Sequence, residues 1–155
     1  MSDKPVPLTT EGRTKIEGEL RELHQRQKDV ADRIHKAQEL GTSQNDAEYE
    51  DAKNEQGMLQ GRILEIKDIL RRAVGIDEDS AHSAGRIIVG SGMEVEQDGK
   101  RRRFQIVGAP EADARQGKIS NESPMGLALL GCTVGDTVDV MVPAGVIKVK
   151  VLKID

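Results

Sequence analysis

Aromatic residues are nearly missing from this chain: Tyr49 and Phe104 are the only two, and there is no tryptophan. A ring-lined ligand cavity cannot be built from two such residues, which argues against a large aromatic pocket. Cysteine is limited to Cys132, so neither an intramolecular disulfide nor a multi-cysteine zinc site is available. Its setting, Leu129-Leu130-Gly131-Cys132, is apolar and reads as a buried structural thiol rather than a reactive one. No apolar run approaches the ~20 residues that span a bilayer, and no N-terminal run has a signal-peptide pattern, so the expected setting is cytoplasmic, with no membrane partner. Positive charge is not in excess either. A net charge of −4 over 155 residues supplies no general basic field to attract nucleic acid. A P-loop, a dinucleotide glycine motif and a nucleophile elbow are all absent, and His24, His35 and His82 are scattered. The residues do not point to an enzyme active site contained in this chain.

What the chain has in quantity is charge, 32% of its residues, and a seven-residue apolar rhythm. Ile16, Leu20, Leu23, Gln27, Val30, Ile34 and Ala37 are spaced by alternating fours and threes; Tyr49, Ala52, Gln56, Leu59, Ile63, Ile66, Leu70 and Ala73 repeat the spacing. That is the seam of a coiled coil. The polar stretch Gly41–Asp46 supplies a turn and caps, so the two arms should fold back antiparallel. Each arm would be roughly 40–45 Å long at about 1.5 Å per residue. Such a rod has little core of its own; its use is reach, carrying a tip at residues 41–49 far from the rest. Thr9 or Thr10 can cap the first helix, with Glu11 favourable in its first turn. Outer-face pairs Glu17-Arg21, Glu22-Arg26 and Asp29-Arg33 sit at i,i+4 in the stabilising order. Gly57 and Gly61 fall inside the second arm, off the seam, either as tolerated surface glycines or as points of close approach for something else.

Before the rod, Met1–Leu8 carries two prolines and reads as a loose arm. After it, residues 76–85 are small, polar and acidic and suit a linker. From there the period switches to two. Arg86–Val89, Met93–Gln97, Arg103–Val107, Thr137–Val142 and Val146–Ile154 read as strands, with a hairpin turn at Asp98-Gly99 and a join at Val142–Gly145. Ser123-Pro124 followed by Met125–Leu130 and Gly131 reads as one short capped helix. The expected architecture is α+β in two domains: a coiled coil over 1–75, a linker over 76–85 and a small β-sheet domain over 86–155.

Two charged features remain. Lys100-Arg101-Arg102-Arg103 suits either contact with phosphate or an acidic surface, or a solvated hairpin. Asp46, Glu48, Glu50 and Asp51 cluster at the tip, with Arg33, Lys36 and Lys53 just behind. Carboxylates at the end of a rigid arm can deliver a ligand to a divalent ion in another protein's active site, since Mg²⁺ takes one or two protein carboxylates and keeps waters. The plainer reading is a solvated acidic helix start.

Taken in order, the motifs resemble one family. Leu8-Thr9-x-Glu11-Gly12 opens the rod, and Gly41 and Ala47-Glu48-Tyr49-x-x-Ala52-Lys53-x-x-Gln56 run through its tip. Ile106-Val107-Gly108-x-x-Glu111-Ala112-Asp113 and Gly117-Lys118-Ile119-Ser120-x-x-Ser123-Pro124-x-Gly126-x-Ala128-Leu129-x-Gly131 follow, then Gly135-Asp136-x-Val138 and Pro143-x-Gly145. Over nearly its whole length the chain is similar to bacterial transcription elongation factors of the GreA/GreB family, closer to GreA. The resemblance implies an FKBP-like, antiparallel C-terminal sheet domain with one short helix. It further implies a monomer that docks at the rim of RNA polymerase's secondary channel and inserts the coiled coil toward the active site. There the polymerase cleaves the nascent RNA 3′ end of a backtracked complex. No cofactor would be bound by the factor alone; a Mg²⁺ would be shared with the polymerase. Docking would carry over to Lys118, Ile119, Ser120, Ser123, Pro124, Met125 and Gly126, and the basic residues near RNA to Lys53 and Lys36.

The tip departs from the family pattern. Where the family reads Gly-Asp-x-x-Glu-Asn-Ala-Glu-Tyr, this chain has Gly41, Thr42, Ser43, Gln44, Asn45, Asp46, Ala47, Glu48 and Tyr49. Thr42 and Asn45 replace the two acidic residues, and Gln38 replaces a basic neighbour. Asp46, one position along, is the candidate metal ligand, although one residue turns a helical side chain by about 100°. Three readings follow: a factor that stimulates cleavage through Asp46; a cleavage-deficient regulator or inhibitor occupying the channel; or an FKBP-like prolyl isomerase or chaperone with a coiled-coil appendage. The third is disfavoured because Phe104 alone does not make the required pocket.

Overall fold

The seven-residue rhythm becomes two helices, α1 (Thr10–Glu39) and α2 (Ala47–Arg72). The computed structural model describes residues 3–39 and 47–155, so the expected turn at Gly41–Asp46 lies outside the described residues. Every described seam position is buried or half-buried. Val30, Ile34 and Ala52 form a buried cluster on which Tyr49 and Leu59 pack. Ile63 and Ile66 are also buried. Each such aliphatic contributes roughly 1.5–3 kcal/mol by leaving water. Cross-helix pairs run in opposite order along the two chains: Arg62 donates to Glu19, Gln27 to Gln60, and Arg26 and Arg33 to Glu55. The helices are therefore antiparallel. The expected pairs of Arg26 with Glu22 and Arg33 with Asp29 give way to this shared carboxylate. The two arginines are one heptad apart and face the same point of α2, where Glu55 receives both at 2.7 and 2.8 Å.

Arg13–Arg72 form one compact unit; Met1–Gly12 and Ala73–Asp155 form the other. The expected boundary after residue 75 is thus replaced by two crossings of the chain, near Gly12 and near Ala73. The N-terminal stretch is not a loose arm. Its residues β1 (Val6–Leu8) pair in parallel with β2 (Ala73–Gly75), and Leu8 is 2% exposed. Two prolines are compatible with this because a two-stranded edge leaves one side of each strand unpaired. The expected linker contains a helical turn, α3 (Glu78–Ser83), capped by Asp77, which accepts from the backbone N–H and the hydroxyl of Ser80. Those bonds hold the Asp77 carboxyl below its ordinary range. Ala81 on this turn is buried.

The larger sheet has the order β5-β4-β3-β7-β6, from β3 (Gly92–Gln97), β4 (Lys100–Val107), β5 (Lys118–Ser120), β6 (Thr137–Val142) and β7 (Gly145–Ile154). All neighbours are antiparallel except β4 and β5. Asp98 and Gly99 both adopt positive φ, 53° and 75°, between the paired ends Gln97 and Lys100. That is the geometry that makes Asp-Gly a hairpin signal. Alternate strand residues, among them Met93, Val95, Ile106, Val140, Val149 and Val151, form a core with Leu129 of α4 (Pro124–Leu129). Arg86–Val89, expected as a strand, is not one. Ile87 instead exchanges backbone bonds with Gly131 and Cys132, and the chain turns at Ser91, whose hydroxyl accepts from the Ile88 N–H. The apolar run reported burial correctly and pairing wrongly.

Candidate functional site

The residues expected to dock on a partner form a strand, a turn and a helix start. β5 lies parallel to β4, with Lys118, Ile119 and Ser120 opposite Gln105, Ile106 and Val107. At its end the Ser120 carbonyl accepts from both the backbone N–H and the hydroxyl of Ser123. Ser123 Oγ in turn accepts from the Gly126 N–H at 3.1 Å, the N-cap that the Ser-Pro sequence predicts. Ser120 Oγ accepts from the Glu122 N–H. A Cβ at Gly126 would stand 2.0 Å from the Ser120 carbonyl oxygen. Glycine there allows β5 and α4 to approach.

This geometry sorts the seven expected residues. Ile119 and Met125 pack on the core, and Gly126 is buried. Lys118, Ser120, Ser123 and Pro124 reach solvent in part or fully. Leu127, one turn beyond Pro124, is 62% exposed. Sequence alone does not single it out, because a leucine in an apolar helix reads as core until the face is known.

A second group joins two motifs about a hundred residues apart. Thr9 is the cap of α1: its Oγ1 accepts from the Gly12 N–H at 2.9 Å. Glu111 reaches it from the 3-10 turn Ala109–Glu111, accepting from the Thr9 N–H at 2.8 Å and from the Thr9 hydroxyl at 2.5 Å. A Cβ on Gly12 would stand 2.2 Å from the Glu111 carboxyl, and one on Gly108 would stand 1.9 Å from the Pro7 carbonyl oxygen. Leu8-Thr9-x-Glu11-Gly12 and Gly108-x-x-Glu111 are thus one packed junction. Sequence spacing held no signal of it.

In the helical unit, Thr42, Ser43, Gln44, Asn45 and Asp46 lie outside the described residues. Glu48 is exposed in the first turn of α2. Lys36 is exposed in the last turn of α1, and exposed Lys53 donates to Gln56 at 3.2 Å. Because Val30 and Ile34 pack with Ala52 and Tyr49, these cations belong to the same end of the helix pair. Arg33, expected behind the tip, is committed to Glu55. That carboxyl is held below its ordinary range by hydrogen bonds from Arg26, then Arg33.

Elsewhere the chemistry is quiet. Arg101 lies 3.5 Å from Glu94 and Arg103 pairs with Asp155, so half of the basic run is matched on its own sheet. Cys132 is buried, its thiol donates to the Ala128 carbonyl, and burial pushes its pKa up, as a structural cysteine requires. The first turn of α1 and Asp77–Asp79 border an open acidic cleft. Among the described residues no group of three or more His, Cys, Asp or Glu could hold a metal ion. No described helix is long and apolar enough to cross a membrane.

Residues 6–74 match the family profile described as transcription elongation factor, N-terminal, and residues 82–155 the one described as transcription elongation factor, GreA/GreB, C-term. A protein of Chloroflexus aggregans named transcription elongation factor GreA is 49% identical over 157 residues, 99% of each chain. One of the same name from Roseiflexus castenholzii is 48% identical over the same length and coverage. Among solved structures, GreA factor homolog 1 of Thermus thermophilus is 33% identical, with 98% of this chain and 99% of that one covered, at a TM-score of 0.48.

Proposed function

The chain belongs to the GreA/GreB family of transcription elongation factors, and from that membership we propose that it binds RNA polymerase and acts on it from the secondary channel. The observation that supports the reading is the agreement of two family matches, over residues 6–74 and 82–155, and a full-length relative with a folded motif set. The solvent-facing residues of β5 and α4, namely Lys118, Ser120, Ser123, Pro124 and Leu127, form the docking surface at the channel rim. The helix pair reaches inward as a monomeric arm in the cytoplasm. Lys36 and Lys53 lie near the nascent RNA 3′ end, and bond cleavage is the polymerase's own chemistry. The chain is accessory, and it positions groups rather than reacting. Any Mg²⁺ at the tip is an ion shared with the polymerase active site.

A second reading differs only at the tip, and the sequence favours giving it weight. Thr42 and Asn45 supply a hydroxyl and an amide where the family pattern has carboxylates, so negative charge at the tip rests on Asp46 and Glu48. With those residues too weakly placed, the factor occupies the channel without stimulating cleavage. Transcript cleavage in purified backtracked complexes, with the wild type and Asp46→Ala, separates the two. Stimulation lost in Asp46→Ala supports the first; no stimulation, with protection of the complexes from an active GreA, supports the second. A chain that neither stimulates nor protects contradicts both.

A further inference from the structure

We propose that Glu111 is a positioning residue that locks the N-cap and first turn of α1 to the 3-10 turn Ala109–Glu111, and that activity on the polymerase depends on this lock. The inference rests on the function proposed above. Three kinds of contact converge. Glu111 satisfies both the backbone N–H and the hydroxyl of Thr9, and that hydroxyl oxygen caps the Gly12 N–H, so the chain of bonds runs from the 3-10 turn into the helix. Gly12 leaves no room between the helix backbone and the Glu111 carboxyl. β1 is held just before the cap, by pairing with β2 and by the Ile76 N–H donating to the Leu8 carbonyl. Thr9 is 7% exposed and Glu111 half-buried, so the bonds to the carboxylate are partly shielded from water, which strengthens a charge-assisted bond.

An ordinary N-cap is supplied by the helix's own sequence. Here the cap residue is itself held by a carboxylate 102 positions away. α1 is unbroken from Thr10 to Glu39, so the turn held by Glu111 is the start of the same helix that carries Lys36 in its last turn. A factor that works through α1 needs the start of that helix intact, and the cap is where it is held. β5 packs on the 3-10 turn that carries Glu111, but the docking side chains of β5 and α4 make none of the junction's hydrogen bonds, so loss of the lock should reduce the effect at saturation without weakening docking.

The test uses the full-length protein in four forms: wild type, Glu111→Ala, Glu111→Gln and Gly12→Ala. Amide exchange by NMR should be at least tenfold faster at Thr9 and Gly12 in Glu111→Ala, with exchange in β3 and β7 unchanged. In backtracked polymerase complexes, the saturating effect of Glu111→Ala, on cleavage or on protection, should fall at least fivefold while the half-saturating concentration stays within threefold. Glu111→Gln, which keeps one acceptor oxygen, should recover part of both. Gly12→Ala separates the lock from helix propensity: alanine favours the helix, yet here it must displace the Glu111 carboxyl and should behave like Glu111→Ala. Fast exchange with an undiminished saturating effect would overturn the proposal, as would a rise in half-saturating concentration alone. Unchanged exchange would overturn it too. A wild type without any effect on polymerase would sink the functional reading and the activity claim with it, and exchange would still report separately whether the cap exists.

Discussion

The sheet-bearing unit has glycines pressed against backbone and the helical unit has none so placed, and the difference shows what each depends on. In the sheet-bearing unit, a Cβ at Gly108 or Gly126 would lie 1.9 or 2.0 Å from a backbone carbonyl oxygen. In the helical unit, a Cβ at Gly57 or Gly61 would meet nothing within 4 Å. The first unit is held by close approach of backbone to backbone at short strands and turns. The second is held by a seam of side chains and by ion pairs across it, and its outer surface is open. A glycine there only weakens the helix.

Substitutions can break this contrast. The largest effect expected is for Leu129→Ala, which empties a fully buried position under the sheet and should cost about 4 kcal/mol in urea denaturation. Gly126→Ala should follow at about 3 kcal/mol, since backbone has to move to admit the methyl group. Gly57→Ala and Gly61→Ala should each stabilise the helical unit by about 1 kcal/mol, read from helical circular dichroism on melting. If Gly126→Ala proves as benign as Gly57→Ala, the contrast is wrong. If Gly57→Ala gains stability and loses its effect on polymerase, the open face of α2 is a contact surface.

The smallest effect expected is electrostatic. The Arg26 and Arg33 guanidiniums hold the Glu55 carboxyl below 4.5 in the folded state. The unfolded chain then takes up this proton at higher pH than the folded one. The stabilisation is present above about 4.5 and is lost as pH falls through the lowered value. Melting of the wild type should therefore drop more steeply with acid below 4.5 than melting of Glu55→Gln, and the difference should shrink in high salt because the groups are exposed. Equal slopes would mean the pairing contributes nothing in solution.

Sequence alone reached the parts of this fold governed by period and by local turn chemistry. Seven-residue spacing found both helices, Asp98-Gly99 found its hairpin, and Ser123-Pro124 found the start of α4. It failed where pairing partners are distant and elements are short. Three-residue β1, β2 and β5 carry too little pattern to show, and Ile87-Ile88-Val89 looks like a strand because burial and pairing usually coincide. The site was legible as a set of motif residues, but their division into surface and support was not. Gly126 and Ile119 support, Leu127 is exposed, and Glu111 belongs to a junction that only the fold assembles. The ion pairs show the same limit: Arg26 and Arg33 had i,i+4 partners on paper, and a cross-helix carboxylate takes both.

The central claim is that this chain acts on RNA polymerase through the docking face on β5 and α4. The most direct measurement titrates the protein into backtracked elongation complexes containing an active GreA and follows transcript cleavage, using the wild type and a variant carrying Ser120→Ala, Pro124→Ala and Leu127→Asp. The account predicts a saturable change in cleavage with the wild type and at least a tenfold higher half-saturating concentration for the variant. Cleavage that does not respond to the wild type at any concentration, or responds identically to the variant, would contradict it.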